Sequence, residues 1–209
     1  MRAAAHIAKD ATFNAMRQYA ISNVVDEDDL TGVLVGELNS ALNKKIRGFK
    51  WNAKILRHRR GVAAEEKRVG ADLLVHVSIK AGGRSYNKGV LVQAKRVEPG
   101  EYMTNAQHDD LQRQCAKMIS HSPSSFVFDY ARKGMRVGSA TRIQGTAAHE
   151  LYSECTMTPF RFFYDLFMCP IGDSRIGSTD INALPLSMFE SSIPHILTLE
   201  ATSFEKKYD

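Results

Sequence analysis

Cysteine is scarce in this chain, and that scarcity excludes a disulfide scaffold. The three present, Cys115, Cys155 and Cys169, are far apart and odd in number, and no two have zinc-ligand spacing. Reduced thiols filling the core of a cytoplasmic protein are the simplest account. No apolar run is long enough to cross a bilayer, which argues against a membrane protein. The first residues, Met1 to Asp10, have no continuous apolar stretch and make a poor secretory signal; they read as the start of a helix running toward Tyr19. No serine sits in a nucleophile elbow, so serine hydrolysis is unsupported. The glycines of 171–177 lack the lysine and spacing of a phosphate loop. Internal repeats, low-complexity tracts and heptads are absent, and the seven histidines show no ligand spacing.

What remains is a globular composition, 44% hydrophobic and 24% charged, on a chain of 209 residues that is long enough for one full core. The net charge of +5 is modest, but its distribution is uneven. From Lys44 to Arg68 there are ten Lys or Arg and two acids, Glu65 and Glu66. Lys44, Lys45, Lys50, Lys54, Arg57, Arg59 and Arg60 belong to this stretch, with Phe49 and Trp51 among them. Such a segment neutralises phosphates if it lies beside a site, and otherwise serves as a solvated face.

The chemistry is carried by two β-rich runs, Gly70 to Ile79 and Val90 to Arg96, separated by a Gly- and Asn-containing stretch. This pattern predicts a hairpin. With a turn near Gly83-Arg84, Asp72 falls opposite Lys95-Arg96 at the open end. Alternation puts Gln93 and Lys95 on one face. An acid, an amide oxygen and a lysine are thereby gathered in one small region, a set suited to a divalent cation and a phosphate. His76 in the first run reads equally as structural or catalytic.

This spacing of Asp72 from Gln93-Ala94-Lys95 resembles the PD-(D/E)xK nuclease superfamily in its QxK, Mrr-like variant, found in bacterial restriction and antiphage-defence nucleases. Asp72 matches the family's aspartate, Gln93 takes the place of its second acid, and Lys95 matches its lysine. The resemblance covers about residues 26–142, roughly a helix, hairpin, helix and strand. It implies a restriction-endonuclease-like α/β sandwich, with a mixed central sheet flanked by helices. One domain over 1–209 is expected, with 143–209 as a helical and strand extension.

Two further residues enter with the resemblance. The family often places a glutamate on the helix before the strands. Here the segment from Asp26 to Leu42 reads as a helix with acids in its first turn. Glu37 lies among its apolar positions, four residues from Val33 and from Ala41. It is therefore expected as a metal or water ligand with Asp72 and Gln93, the alternative being a helix-flank glutamate paired with a basic residue. The helix read over Thr104 to His121 would offer Gln114 as an accessory group, or as a glutamine bonded to backbone. The last third carries little readable chemistry; the aromatic cluster around Phe160–Phe167 reads as core.

The resemblance implies a Mg²⁺-dependent nuclease acting on DNA, with Mn²⁺ able to substitute. It further implies a homodimer or a separately encoded sensor or ATPase partner, and a role in prokaryotic defence. The other class left open is a nucleic-acid- or partner-binding protein that keeps the fold without cleaving.

Overall fold

The computed structural model describes residues 1–57, 69–177 and 193–204. Arg59, Arg60, Glu65 and Glu66 lie outside the described residues, as does the side chain of Arg57.

Helix α1 (Arg2–Ala20) buries a face of Ala4, Ala5, Ala8, Ala11 and Ala15. These small side chains let α2 (Glu27–Leu42) and α6 (Pro159–Met168) come close to it. Asp26 caps α2, its side chain accepting the Asp28 N–H at 2.9 Å. Glu27, Asp28 and Asp29 complement the helix dipole in the first turn. Leu30, Leu34, Leu38 and Leu42 then form the stripe that meets the sheet.

The sheet has seven strands among the described residues, ordered β1-β2-β7-β3-β4-β5-β6. They are β1 (Lys45–Ile46), β2 (Phe49–Arg57), β3 (Leu73–Ala81), β4 (Arg84–Lys95), β5 (Ser125–Asp129), β6 (Arg136–Ser139) and β7 (His195–Ser203). The β3–β7 and β4–β5 pairs are parallel and the others antiparallel, so the sheet is mixed. Alternation divides the side chains between two cores. Leu73, Val75, Val90, Val92, Phe128 and Leu199 face α1, α2 and α6. Leu74, Leu91, Val127 and Ile196 face α3 (Asn105–His121) and α4 (Ala140–Gln144).

The chain is thus an α/β protein with a seven-strand mixed sheet packed against helices. Residues 26–142 do not close this sheet by themselves: β7 supplies a central strand, and α1 and α6 build one helical layer. Beyond α4 the chain forms a single helical turn, α5 (Leu151–Glu154). The stretch 171–177 is docked on β4, with Asp173 bridging to Gly89. Two cysteines are the expected core fillers: burial pushes the Cys115 thiol up to about 12 and raises that of Cys155 well above its usual range. Cys169 departs from that expectation; it caps α6 in a left-handed conformation and is exposed. No helix among the described residues is long and apolar enough to cross a membrane.

Candidate active site

The hairpin turns on Gly82-Gly83, both at positive φ, which suits a two-residue loop. The turn is thus one position earlier than the sequence suggests. The register pairs Leu73 with Val92 and brings Asp72 opposite Gln93 rather than Lys95. Asp72 stands just ahead of β3 and continues its pairing, donating N–H to Val92 O at 2.8 Å and accepting His195 N–H at 3.2 Å. It is 5% exposed and Gln93 1%.

Their side chains meet. Asp72 Oδ2 accepts the Gln93 amide NH₂ and also the Ala94 backbone N–H, the latter at 2.9 Å. The same Gln93 nitrogen donates to Ala94 O at 3.0 Å. Gln93 Oε1 is buried with no hydrogen-bond partner among the described residues. A buried acceptor left unpaired is costly. Half a turn of the amide would exchange its nitrogen for its oxygen, setting Gln93 Oε1 beside Asp72 Oδ2 and Ala94 O and its NH₂ where the unpaired oxygen now stands. Hard oxygen ligands of this kind are what Mg²⁺ takes, with water filling its other positions. The donors therefore fit a divalent cation. Among the described residues no group of three or more His, Cys, Asp or Glu is placed to hold one, so any ion here would depend on this mixed set.

Lys95 is two residues further along β4 on the same face as Gln93. Its Nζ is 3.8 Å from Glu27 Oε1, in the first turn of α2. That turn is tied down on three strands. Asp28 meets His195 of β7 at 3.0 Å. Thr31 Oγ1 donates to Glu27 O at 3.0 Å and lies 3.1 Å from the Tyr130 hydroxyl, just beyond β5. Tyr130 N–H in turn donates to Lys95 O at 2.8 Å.

Glu37 is not part of this group. It is half-buried on the flank of α2 that faces α1, where Asn14 donates to it at 3.4 Å. Ten residues of helix, about 15 Å, separate it from Glu27. Val33 and Ala41 line that flank rather than the sheet-facing stripe, which is why neighbourhood to them did not bring Glu37 to the site. The acid on the helix that reaches the site end is Glu27.

Gln114 does lie near. Gly70, at φ +74°, packs so tightly on α3 that a Cβ there would stand 2.7 Å from the Gln114 carbonyl oxygen. Gln114 Oε1 is buried and without a partner among the described residues. It stays a candidate accessory group, its backbone packed on Gly70, which precedes Asp72 by two residues in the chain. His76 is 1% exposed, and burial lowers its pKa against a backbone hydrogen bond at Gly177 and the Glu200 charge. It sits deep in the sheet, four residues along from Asp72.

The described part of the basic stretch, residues 44–57, does not lie beside the site as a unit. Lys50 pairs with Thr202, and Thr202 with Lys80, seven residues beyond Leu73 on β3. That is about 23 Å along the strands from the site end. Exposed Lys44 and Lys45 share this far end. Exposed Lys54 is nearer, in register with Thr198 and His76. Among the described residues of the stretch only Arg57, paired with His195, has its backbone at the site end. Trp51 is 2% exposed and packs on Phe167 with ring centres 4.7 Å apart, so it is core rather than a stacking platform.

Sequence reading also passed over Asp129, the last residue of the apolar run Ser125–Asp129. It pairs in register with Lys95 and is 0% exposed. Oδ1 accepts the Val97 N–H at 3.0 Å, and Oδ2 has no partner among the described residues. Burial raises its pKa to about 7, against the Val97 hydrogen bond and with help from the Glu98 and Glu27 charges. The folded protein then holds a proton that the unfolded chain releases near 3.8. Stability is expected to fall as pH rises between those values, by up to about 1.4 kcal/mol per pH unit, and to level off above. Asp129→Asn keeps an acceptor for Val97 and cannot ionise. Its melting temperature relative to wild type should climb from pH 4 to 7 and then stay constant; parallel curves would show that Asp129 ionises normally.

Comparison with protein-family models, with curated proteins and with solved structures finds no match.

Proposed function

We propose that this chain is a metal-dependent nuclease with a restriction-endonuclease-like core, hydrolysing phosphodiester bonds in DNA. The observation that carries this reading is the Gln93 amide. Its NH₂ bridges Asp72 Oδ2 and Ala94 O, while its own oxygen is buried without a partner among the described residues.

In this reading Asp72, Gln93 and the Ala94 carbonyl would hold Mg²⁺, or Mn²⁺ in its place, and the ion would supply Lewis acidity. Lys95 stands on the same face, its ammonium set by Glu27 at 3.8 Å, and offers positive charge to the phosphoryl oxygens. The sheet end closes around it: α2 and the Tyr130–Thr31 bond hold Lys95 and Glu27 together before substrate arrives. Preorganised charge of this kind costs no rearrangement at the moment of reaction. Glu37 has no part in it. A homodimer or a separately encoded sensor or ATPase partner, a cytoplasmic location and a role in prokaryotic defence belong to this proposal by fold analogy.

The test is cleavage of supercoiled plasmid by the purified protein. Nicking or linear product is expected with Mg²⁺ and with Mn²⁺, and none with EDTA. Cleavage that persists in EDTA would remove the metal from the reading. A folded protein that binds DNA and cuts it with neither metal would be a binding protein on the same scaffold.

A further inference from the structure

Two arginines outside the basic stretch lie against Tyr19 at the site end of the sheet. Arg96 follows Lys95 directly, is exposed, and donates through Nη1 to Val25 O. Its guanidinium carbon is 5.7 Å from the centre of the Tyr19 ring. Arg132, in the turn after β5, is 5.0 Å from the same ring centre, and its side chain is 54% exposed. Tyr19, at the end of α1, is only 4% exposed. One buried ring thus holds two guanidinium groups at the end of the sheet where Lys95 emerges.

Neighbouring cations repel, and the surroundings offset only part of that. Glu98 accepts the Arg132 backbone N–H at 3.1 Å and faces its guanidinium at 3.6 Å. Burial and a hydrogen bond to Glu98 raise the Tyr19 phenol, keeping the ring neutral. Arg96 contacts a carbonyl and a ring, both uncharged. It also lines an open cavity of about 430 Å³ with Val25, Asp26, Glu27 and Gln107. The acids in that wall are engaged: Asp26 caps α2 and Glu27 faces Lys95. A guanidinium stacked on an aromatic ring keeps its N–H edge for an anion, and its planar fork matches phosphate oxygens.

We infer that Arg96 and Arg132, held over Tyr19, receive the backbone phosphates flanking the bond presented to Lys95, the ligand being a nucleic-acid strand. This rests on the nuclease reading for the meaning of Lys95 but not for its test. Contacts of this kind position a strand without reading its sequence.

The experiment is binding of a fluorescein-labelled DNA oligonucleotide by the full chain in EDTA, followed by anisotropy across a salt series. Each phosphate contact contributes about 0.7 to the slope of log K against log salt for a single strand and about 0.9 for a duplex. Arg96→Gln and Arg132→Gln should each lower the slope by about that amount, and the double variant by about twice it. Arg→Lys at both positions keeps the charge and should restore most of the slope. Melting curves identify any variant that fails to fold. For that case, phenylglyoxal modification of the wild type, read by mass spectrometry, should show DNA protecting Arg96 and Arg132. An unchanged slope in the folded double variant overturns the inference. So does a slope change confined to Lys50→Gln and Lys54→Gln, absence of protection, or a wild type that binds no DNA. Binding with the expected slopes but no cleavage in any metal would remove the nuclease reading and leave this one standing.

Discussion

Asp72→Asn is expected to abolish DNA cleavage, by at least about a thousandfold, while the protein stays folded. The substitution keeps the shape of the side chain and an oxygen to accept the Ala94 N–H, now made by Asp72 Oδ2 at 2.9 Å. It removes the charge that would hold a divalent ion, leaving a set of neutral oxygens around a cation that binds through charge as well as geometry. Metal-ion catalysis supplies both the activated water and the stabilisation of phosphoryl charge, so both are lost together. Lys95→Met should cost less, about a hundred- to a thousandfold, as expected for one electrostatic donor. Single-turnover cleavage rates at saturating Mg²⁺, beside thermal melts of the same samples, separate these effects from unfolding. A folded Asp72→Asn protein that cuts at more than a tenth of the wild-type rate would place the site elsewhere.

The largest expected effect on stability is at Phe162, far from that chemistry. Phe162→Ala should cost about 3–5 kcal/mol in urea denaturation, a large part of what holds an ordinary domain together. The ring is 0% exposed and meets three others edge-on, Phe126 at 5.2 Å, Phe128 at 5.0 Å and Phe163 at 5.2 Å between centres. Truncation removes both the transferred area and the packing of β5 against α6, and the surrounding rings cannot collapse into the gap without breaking their own contacts. Phe13→Ala is the comparison: that side chain is 61% exposed and its loss should fall within about 0.5 kcal/mol. Equal effects at the two positions would mean that α6 is not docked as described.

These two residues differ in how plainly the sequence announced them. The role of the α6 aromatics was legible because a dense cluster of large apolar rings is read as core without knowing its partners. The hairpin that bears Asp72, Gln93 and Lys95 was legible too, from β-rich runs around glycines. Its register was not: shifting the turn from Gly83-Arg84 to Gly82-Gly83 moves Asp72 from opposite Lys95-Arg96 to opposite Gln93. Glu37 was misplaced because helical spacing says which residues share a face and not which neighbour that face meets. One flank of α2 looks at α1 and the next at the sheet, and only packing tells them apart.

The sequence by itself determined the local elements: the α1, α2 and α3 helices, the β3–β4 hairpin, and the presence of an acid, a glutamine and a lysine on one hairpin. Each follows from periodicity, capping and turn chemistry acting over a few residues. Tertiary structure alone decided that β7 enters between β2 and β3, that Glu27 rather than Glu37 reaches Lys95, that Lys44, Lys45 and Lys50 end up at the far edge, and that Arg96 and Arg132 share the Tyr19 ring. Those outcomes join residues up to more than a hundred positions apart, as Asp28 and His195 are. Such meetings are chosen by the burial of whole apolar faces against one another, and no window of sequence contains both sides of the choice.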